Sequence, residues 1–305
     1  MRAATDISTR AWGLLALLGL LWGASFVAVA LALREMGPFT AVLHRVFWAT
    51  LILWAVVLVR GLPLPRDLRI WGAFLVMGLL NNVLPFVLMA WGQTQIESGV
   101  TAILNAATAL FAVLLAALVF ADQRLSLRRL AGVVIGFSGV VIAIGYESLG
   151  GFDLRSLAQL AVLGGTVSYA MAGIWARLAL TGLAPTVSAA GMTGAATLLM
   201  LPLAWGLEGR PDLALSAEGW AAIAYIAGPG TAIAYLLYYR ILSLAGPGNL
   251  MLVTLLIPVV AILLGATILG ETLAPAALIG FALLAVGLLI LDGRHLARLI
   301  PKTAR

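Results

Sequence analysis

The sequence predicts an all-α integral membrane protein: ten transmembrane helices arranged as two inverted five-helix repeats. Three observations predict it. Of the 305 residues, 63% are hydrophobic and 10% charged, against roughly 45–50% and 25% in soluble domains. Apolar runs of spanning length, roughly 20 residues, alternate with turn chemistry at Gly37-Pro38, Pro63-Leu64-Pro65, Gly150-Gly151, Gly209-Arg210-Pro211 and Gly246-Pro247-Gly248. Landmarks of the first half also recur in the second at a shift of 147–148 residues.

The first span, 12–33, follows Arg2 and Arg10. It is too long for a signal-peptide core and lacks a small-residue cleavage site, so it reads as a helix that stays attached. The next four runs are 40–59, 71–91, 98–120 and 130–146, and the second half supplies 157–177, 185–206, 219–242, 248–270 and 274–291. The loops between them are too short for a soluble domain.

Lysine and arginine placement sets the expected orientation. With the N-terminus in the cytoplasm, fourteen cations fall inside and three outside, namely Arg34, Arg155 and Arg210. Both termini are then cytoplasmic. Miscounting by one helix destroys this asymmetry. The net charge of +6 reflects this placement. A nucleic-acid binder would cluster its cations on one soluble face, so no nucleic-acid partner is expected. Cysteine is absent, which removes disulfides and thiolate metal sites. No metal or cofactor is expected.

The repeat rests on paired landmarks. LLWGASF at 20–26 leads to Pro38, as VSYAMAG at 167–173 leads to Pro185, so Trp22 aligns with Tyr169. Gly132 and Gly139 align with Gly280 and Gly287, and Gln123 with Glu271. The division falls at 1–148 and 149–305. Five spans per half is an odd number, so the second copy lies upside down relative to the first. Inverted repeats mark secondary transporters, with a substrate site near the midplane between them.

These residues resemble the drug/metabolite transporter superfamily, in its ten-helix branch with two EamA-type repeats. WGASFV at 22–27 is similar to the opening of the family's first helix, and HRVF at 44–47 to its second-helix Arg-Phe element. LGETL at 269–273 and QRLS at 123–126 are similar to its Gly-Glu-x-Leu element. The first copy has Asp122-Gln123 where the family has Gly-Glu. Within the family, the aromatic amino-acid exporters of the YddG type are nearest in character. The resemblance implies metabolite export through a central cavity built from helices 1, 3, 4, 6, 8 and 9, in a bacterial-type inner membrane.

Mid-depth polarity points to the same helices. The candidate substrate-binding residues are Trp22, Ser25, Asn81, Asn82, Asn105, Tyr169, Tyr235 and Thr254. The candidate helix breaks are Pro85, Gly228, Pro229, Gly230 and Pro258. At a shift of 148, Asn81-Asn82 lies opposite Pro229-Gly230. Both halves thus interrupt the same helix, and a freed carbonyl at membrane depth needs a partner that lipid cannot supply. Neighbouring Asn81 and Asn82 lie about 100° apart around a helix, so one of them faces a cavity squarely. Of Tyr235, Tyr238 and Tyr239, at most two are expected to face inward. Trp12, Trp54, Trp71 and Trp220 fall near span ends and read as interface belt.

Arg45 stands about 7–8 Å inside the second span. Its stem is long enough to reach the outer headgroups, and it reads as an anchor. Glu271 reads as the cap of helix 10. All twelve acidic residues fall in loops, tails or span edges. Proton relays rest on Asp, Glu or His held inside the bundle, so facilitated diffusion or exchange is expected, with a proton-coupled efflux carrier as the alternative. An enzyme would need a nucleophile with its base, or metal ligands, at membrane depth, and His44 is the one imidazole in a span. An ATP-driven pump is excluded for this chain by itself, because no G-x-x-x-x-G-K-[ST] loop is present. The mid-depth residues are amides, hydroxyls and aromatics. They suit a small neutral or zwitterionic molecule with an apolar part, most of all an amino acid, carried by a monomer in a lipid bilayer.

Overall fold

The computed structural model describes residues 8–121, 125–145, 154–211 and 213–292. Asp122-Gln123, Gly150-Gly151, Arg2 and the basic tail from Arg294 to Arg305 lie outside the described residues. Among the described residues, eight helices are long and apolar enough to cross a membrane. They are α1 (Thr9–Ala32), α2 (Pro38–Val59), α3 (Leu68–Gln93), α4 (Ser98–Val119), α5 (Leu127–Ile144), α6 (Leu154–Ala179), α7 (Pro185–Glu208) and α8 (Ala217–Gly246). Two shorter apolar helices follow, α9 (Val253–Leu269) and α10 (Pro275–Leu291). The protein is a multi-pass membrane protein.

The helices begin where the sequence offers a cap or a proline. Ser8, Asp67, Ser126 and Ser216 each accept a backbone N–H of the first turn, at 3.2, 2.9, 3.3 and 3.1 Å. Pro38 and Pro185 open α2 and α7. Each cap satisfies a donor that the helix leaves free. The expected ninth span began at 248. Helical backbone resumes after the Gly246 kink (φ 77°) and runs to Leu250, a turn at Met251–Leu252 interrupts it, and α9 proper begins at Val253.

Two contacts relate the halves. Gly132 abuts Gly287 and Gly139 abuts Gly280, so α5 and α10 cross backbone to backbone and antiparallel. A Cβ at Gly139 or Gly280 would collide with the opposing main chain. Close approach through small residues is how helices associate where lipid gives no hydrophobic driving force. In α2 and α7, the Thr50 and Thr197 hydroxyls meet at 3.1 Å. These threonines are 147 residues apart, the repeat shift itself.

The distal end of the bundle, where α1 finishes, is tied by carboxylates. Glu208 accepts the N–H groups of Phe39 and Thr40, at 3.0 and 2.7 Å, and so caps α2. Glu271 accepts the Ser98 N–H and hydroxyl, both at 2.8 Å. It therefore caps α4, not the helix that follows it as the sequence suggested. The reason is geometric: free N–H groups at a helix start attract any carboxylate in reach, and α4 brings its own within reach of the α9–α10 loop. Glu35 accepts the Ser216 N–H at 2.8 Å and the Ser216 hydroxyl. Arg155–Glu97 at 2.8 Å and Arg34–Glu218 at 3.4 Å complete the set. Every one of these ties joins a residue before 148 to a residue after it.

Candidate functional site: a cavity at two helix breaks

A cavity of about 560 Å³ lies among the helices. Residues of α1, α3, α4, α6, α8 and α9 line it, as do Leu250 and Met251 just before α9, while α2 and α7 each add one side chain, Arg45 and Met192. These two are 147 residues apart, the shift read in the sequence.

Two π-helical turns form its middle. In α3 the turn spans Leu79–Val83 and precedes Pro85; in α8 it spans Gly228–Ile233 and contains Pro229. π-bulges leave carbonyls without their usual partner and recur at functional sites. Side chains fill the gap. The Ser168 hydroxyl donates to Leu80 O at 2.7 Å, and the Thr231 hydroxyl to Ile226 O at 2.7 Å. Pro258, by contrast, sits inside a helix that continues through it, and it is not on the cavity wall. Pro85, Gly228 and Pro229 belong to the interrupted segments without lining the cavity; Gly230 does line it.

Tyr235 joins the two turns. Its hydroxyl donates to Asn82 Oδ1 at 2.7 Å and accepts from Asn81 Nδ2 at 3.2 Å. Asn81 lines the cavity. Asn82 is fully buried behind it, so its proposed contact with substrate is replaced by a contact with Tyr235. The α4 wall carries Asn105, where the helix tightens into i→i−3 bonding: Ala107 N–H donates to Leu104 O at 3.0 Å, and the Thr108 hydroxyl to Asn105 O at 2.7 Å. The same device opens α9, where the Thr254 hydroxyl donates to Met251 O at 2.7 Å. Asn105 Oδ1 and Gln93 Oε1 have no protein partner among the described residues. Sequence reading missed Gln93, the last residue of α3, because it lies beyond the expected span end at 91.

Aromatic rings make the remaining wall. Trp22 and Tyr238 lie 5.9 Å apart between centroids, and Tyr238 and Tyr239 meet edge to face at 5.3 Å. Tyr235, Tyr238 and Tyr239 all line the cavity, together with Leu242. The expectation that at most two would do so fails because the spacing i, i+3, i+4, i+7 is one helical stripe. Tyr169 crosses Phe86 at 6.4 Å, and both line the cavity. Ser25 also lines the cavity, its hydroxyl donating to Leu21 O at 2.8 Å.

Arg45 overturns its expected role. It does not run out to the surface. Its Nε donates to Thr231 Oγ1 at 2.8 Å, its Nη2 approaches Gly230 O at 3.4 Å, and its guanidinium carbon lies 3.8 Å above the Phe86 ring. A carbonyl and a hydroxyl at the α8 break and a facing ring draw the cation inward, where snorkelling would have found only headgroups. Neighbouring His44 turns elsewhere. It is buried, accepts from Trp48 Nε1 at 3.3 Å and lies edge-on to Trp220.

A membrane-embedded helical bundle with a polar and aromatic cavity at paired helix breaks has the build of a carrier. The EamA-like transporter family matches the chain twice, over residues 10–145 and 156–291, and the chain belongs to that family. Protein PecM of Dickeya dadantii is 27% identical over 275 residues, covering 89% of this chain and 88% of that protein. YedA of Escherichia coli strain K12, described as an uncharacterized inner membrane transporter, is 26% identical over 255 residues, covering 83% of this chain and 81% of its own. A solved crystal structure superposes with a TM-score of 0.68 at 22% identity, over 95% of this chain and 98% of that one. At that identity the likeness speaks for the fold.

Proposed function

We propose that the chain is a secondary transporter of small neutral or zwitterionic metabolites, above all amino acids with an aromatic or other apolar side chain. Transport runs by alternating access between two inverted five-helix repeats, 1–148 and 149–305, in a ten-span bundle. The observation that carries this reading is the cavity, where interrupted helices from both halves present amides, hydroxyls and aromatic rings to one space. The double family match supports the repeat, as do the antiparallel glycine contacts of α5 with α10 and the Thr50–Thr197 contact. A pseudo-two-fold axis would bring repeat-related residues together in this way. The location we propose is a bacterial inner membrane with both termini in the cytoplasm, in line with the description of YedA and the arginine distribution.

The cavity wall carries no carboxylate among the described residues, which favours facilitated diffusion or exchange over proton coupling. In proteoliposomes, counterflow of a labelled aromatic amino acid should proceed with neither a pH gradient nor a membrane potential. Accumulation that collapses with a protonophore would point to the proton-coupled efflux carrier instead, and no saturable flux at all would end the transporter reading.

A further inference from the structure

Arg45 is the one formal charge on the cavity wall among the described residues. Its partners, Thr231, Gly230 and Phe86, are all neutral. Neither ion pair recorded among the described residues includes it. A guanidinium presents five N–H donors in a planar fork matched to a carboxylate. The Nε and Nη2 contacts leave Nη1 without a protein acceptor among the described residues. A cation held in a low-dielectric site without a counter-ion is a strong attractor for an anion. The ring surfaces of Trp22, Tyr238 and Tyr239 give an apolar body its place in the same cavity.

No acidic side chain lines the cavity to answer an ammonium group. Fixed charge is therefore one-sided. We infer that Arg45 binds the substrate's carboxylate, and that the carboxylate is the required group while an α-amine is merely tolerated. The substrate class is an organic monocarboxylate with an aromatic or comparably apolar body, amino acids being one subset. This rests on the transporter reading and widens its substrate class from neutral and zwitterionic molecules to monoanions. Cationic amphiphiles are disfavoured by the same charge. A bound monoanion neutralises the cavity, so the occupied carrier moves no unpaired charge through its closed state.

The test uses purified full-length protein and four probes sharing a phenyl group: L-phenylalanine, 3-phenylpropanoate, L-phenylalaninamide and 2-phenylethylamine. Thermal stabilisation and direct binding are read for wild type, Arg45→Lys and Arg45→Gln. Both carboxylates should bind wild type, and the amide and amine should not. Losing a charged hydrogen bond in a desolvated site should weaken carboxylate binding by about ten- to a hundred-fold in Arg45→Gln, with partial retention in Arg45→Lys. A purely structural role would lower the melting temperature without changing the order of the probes. If Arg45→Gln cannot be purified, the probe order of wild type and Arg45→Lys still decides. Amide or amine binding as tightly as the acids, or an order unchanged by substitution, overturns the inference. Counterflow of L-phenylalanine by wild type, run in parallel, tells the two failures apart. Flux without carboxylate preference sinks this inference and leaves the transporter reading standing. Absence of both binding and flux sinks both.

Discussion

Asn81, Asn82 and Asn105 separate contact with a ligand from support of the site. Asn81 and Asn105 line the cavity, whereas Asn82 is sealed behind Tyr235. Losing one polar contact to a desolvated ligand costs about 1–3 kcal/mol, so Asn81→Ala or Asn105→Ala should weaken substrate binding roughly tenfold at normal membrane abundance. Wild-type affinity in both would remove them from the site. Asn82→Ala leaves the Tyr235 hydroxyl without its acceptor in a buried place. It should lower the melting temperature first, and binding only through Tyr235.

Between elements, two devices hold the bundle. The α5–α10 crossing has no room for a side chain at Gly139 or Gly280, so Gly139→Leu or Gly280→Leu should depress the melting temperature sharply, while Leu at Gly13, which has open space, should not. The distal ties act differently. Glu208 stands opposite Gly61 in the repeat alignment, and Glu35 opposite Gly182, so these two capping carboxylates have no counterpart at the other end of the bundle. Glu208→Gln weakens a charge-assisted cap of α2 and should lower the melting temperature; an unchanged melting temperature would show the cap to be idle. The Ser216 hydroxyl, and then its N–H, hold the Glu35 carboxyl below the ordinary carboxylate range. A lowered carboxyl stabilises the fold at neutral pH, and its contribution disappears as pH falls through the folded value. Glu35→Gln should therefore flatten the acid side of the stability profile. An acid limb identical to wild type would show the contact to be idle.

For the whole molecule, orientation is the decisive measurement. With both termini in the cytoplasm, an epitope at Glu97 should be labelled from outside the cell and one at Arg66 or Arg128 should not. The reverse pattern, or a mixed one, would overturn the ten-span count together with the inverted repeat, because both depend on the parity of the loops. The arginine asymmetry that predicts this outcome is a property of the loops alone, independent of the cavity and its ligand.

Composition and spacing were enough to define a helical membrane protein, because a bilayer accepts only backbones that satisfy their own hydrogen bonds. A residue shift near 147 was legible as well, and the family match over 10–145 and again over 156–291 falls on the same two segments. Polar residues at mid-depth, such as Asn81 and Asn105, were visible too, because lipid gives them no reason to be there. What the linear chain did not carry was direction around and between helices. Whether Arg45 reaches to headgroups or to the α8 break depends on where Thr231, Gly230 and Phe86 arrive in space. Which helix Glu271 caps depends on which N-terminus lies nearest, and that one is 173 residues away in sequence. Asn81 and Asn82 differ by one position, yet one meets the cavity and the other meets Tyr235. Burial patterns fix which elements form; only packing decides which partner a long charged or amide side chain finds, because many partners lie within its reach and the sequence does not rank them.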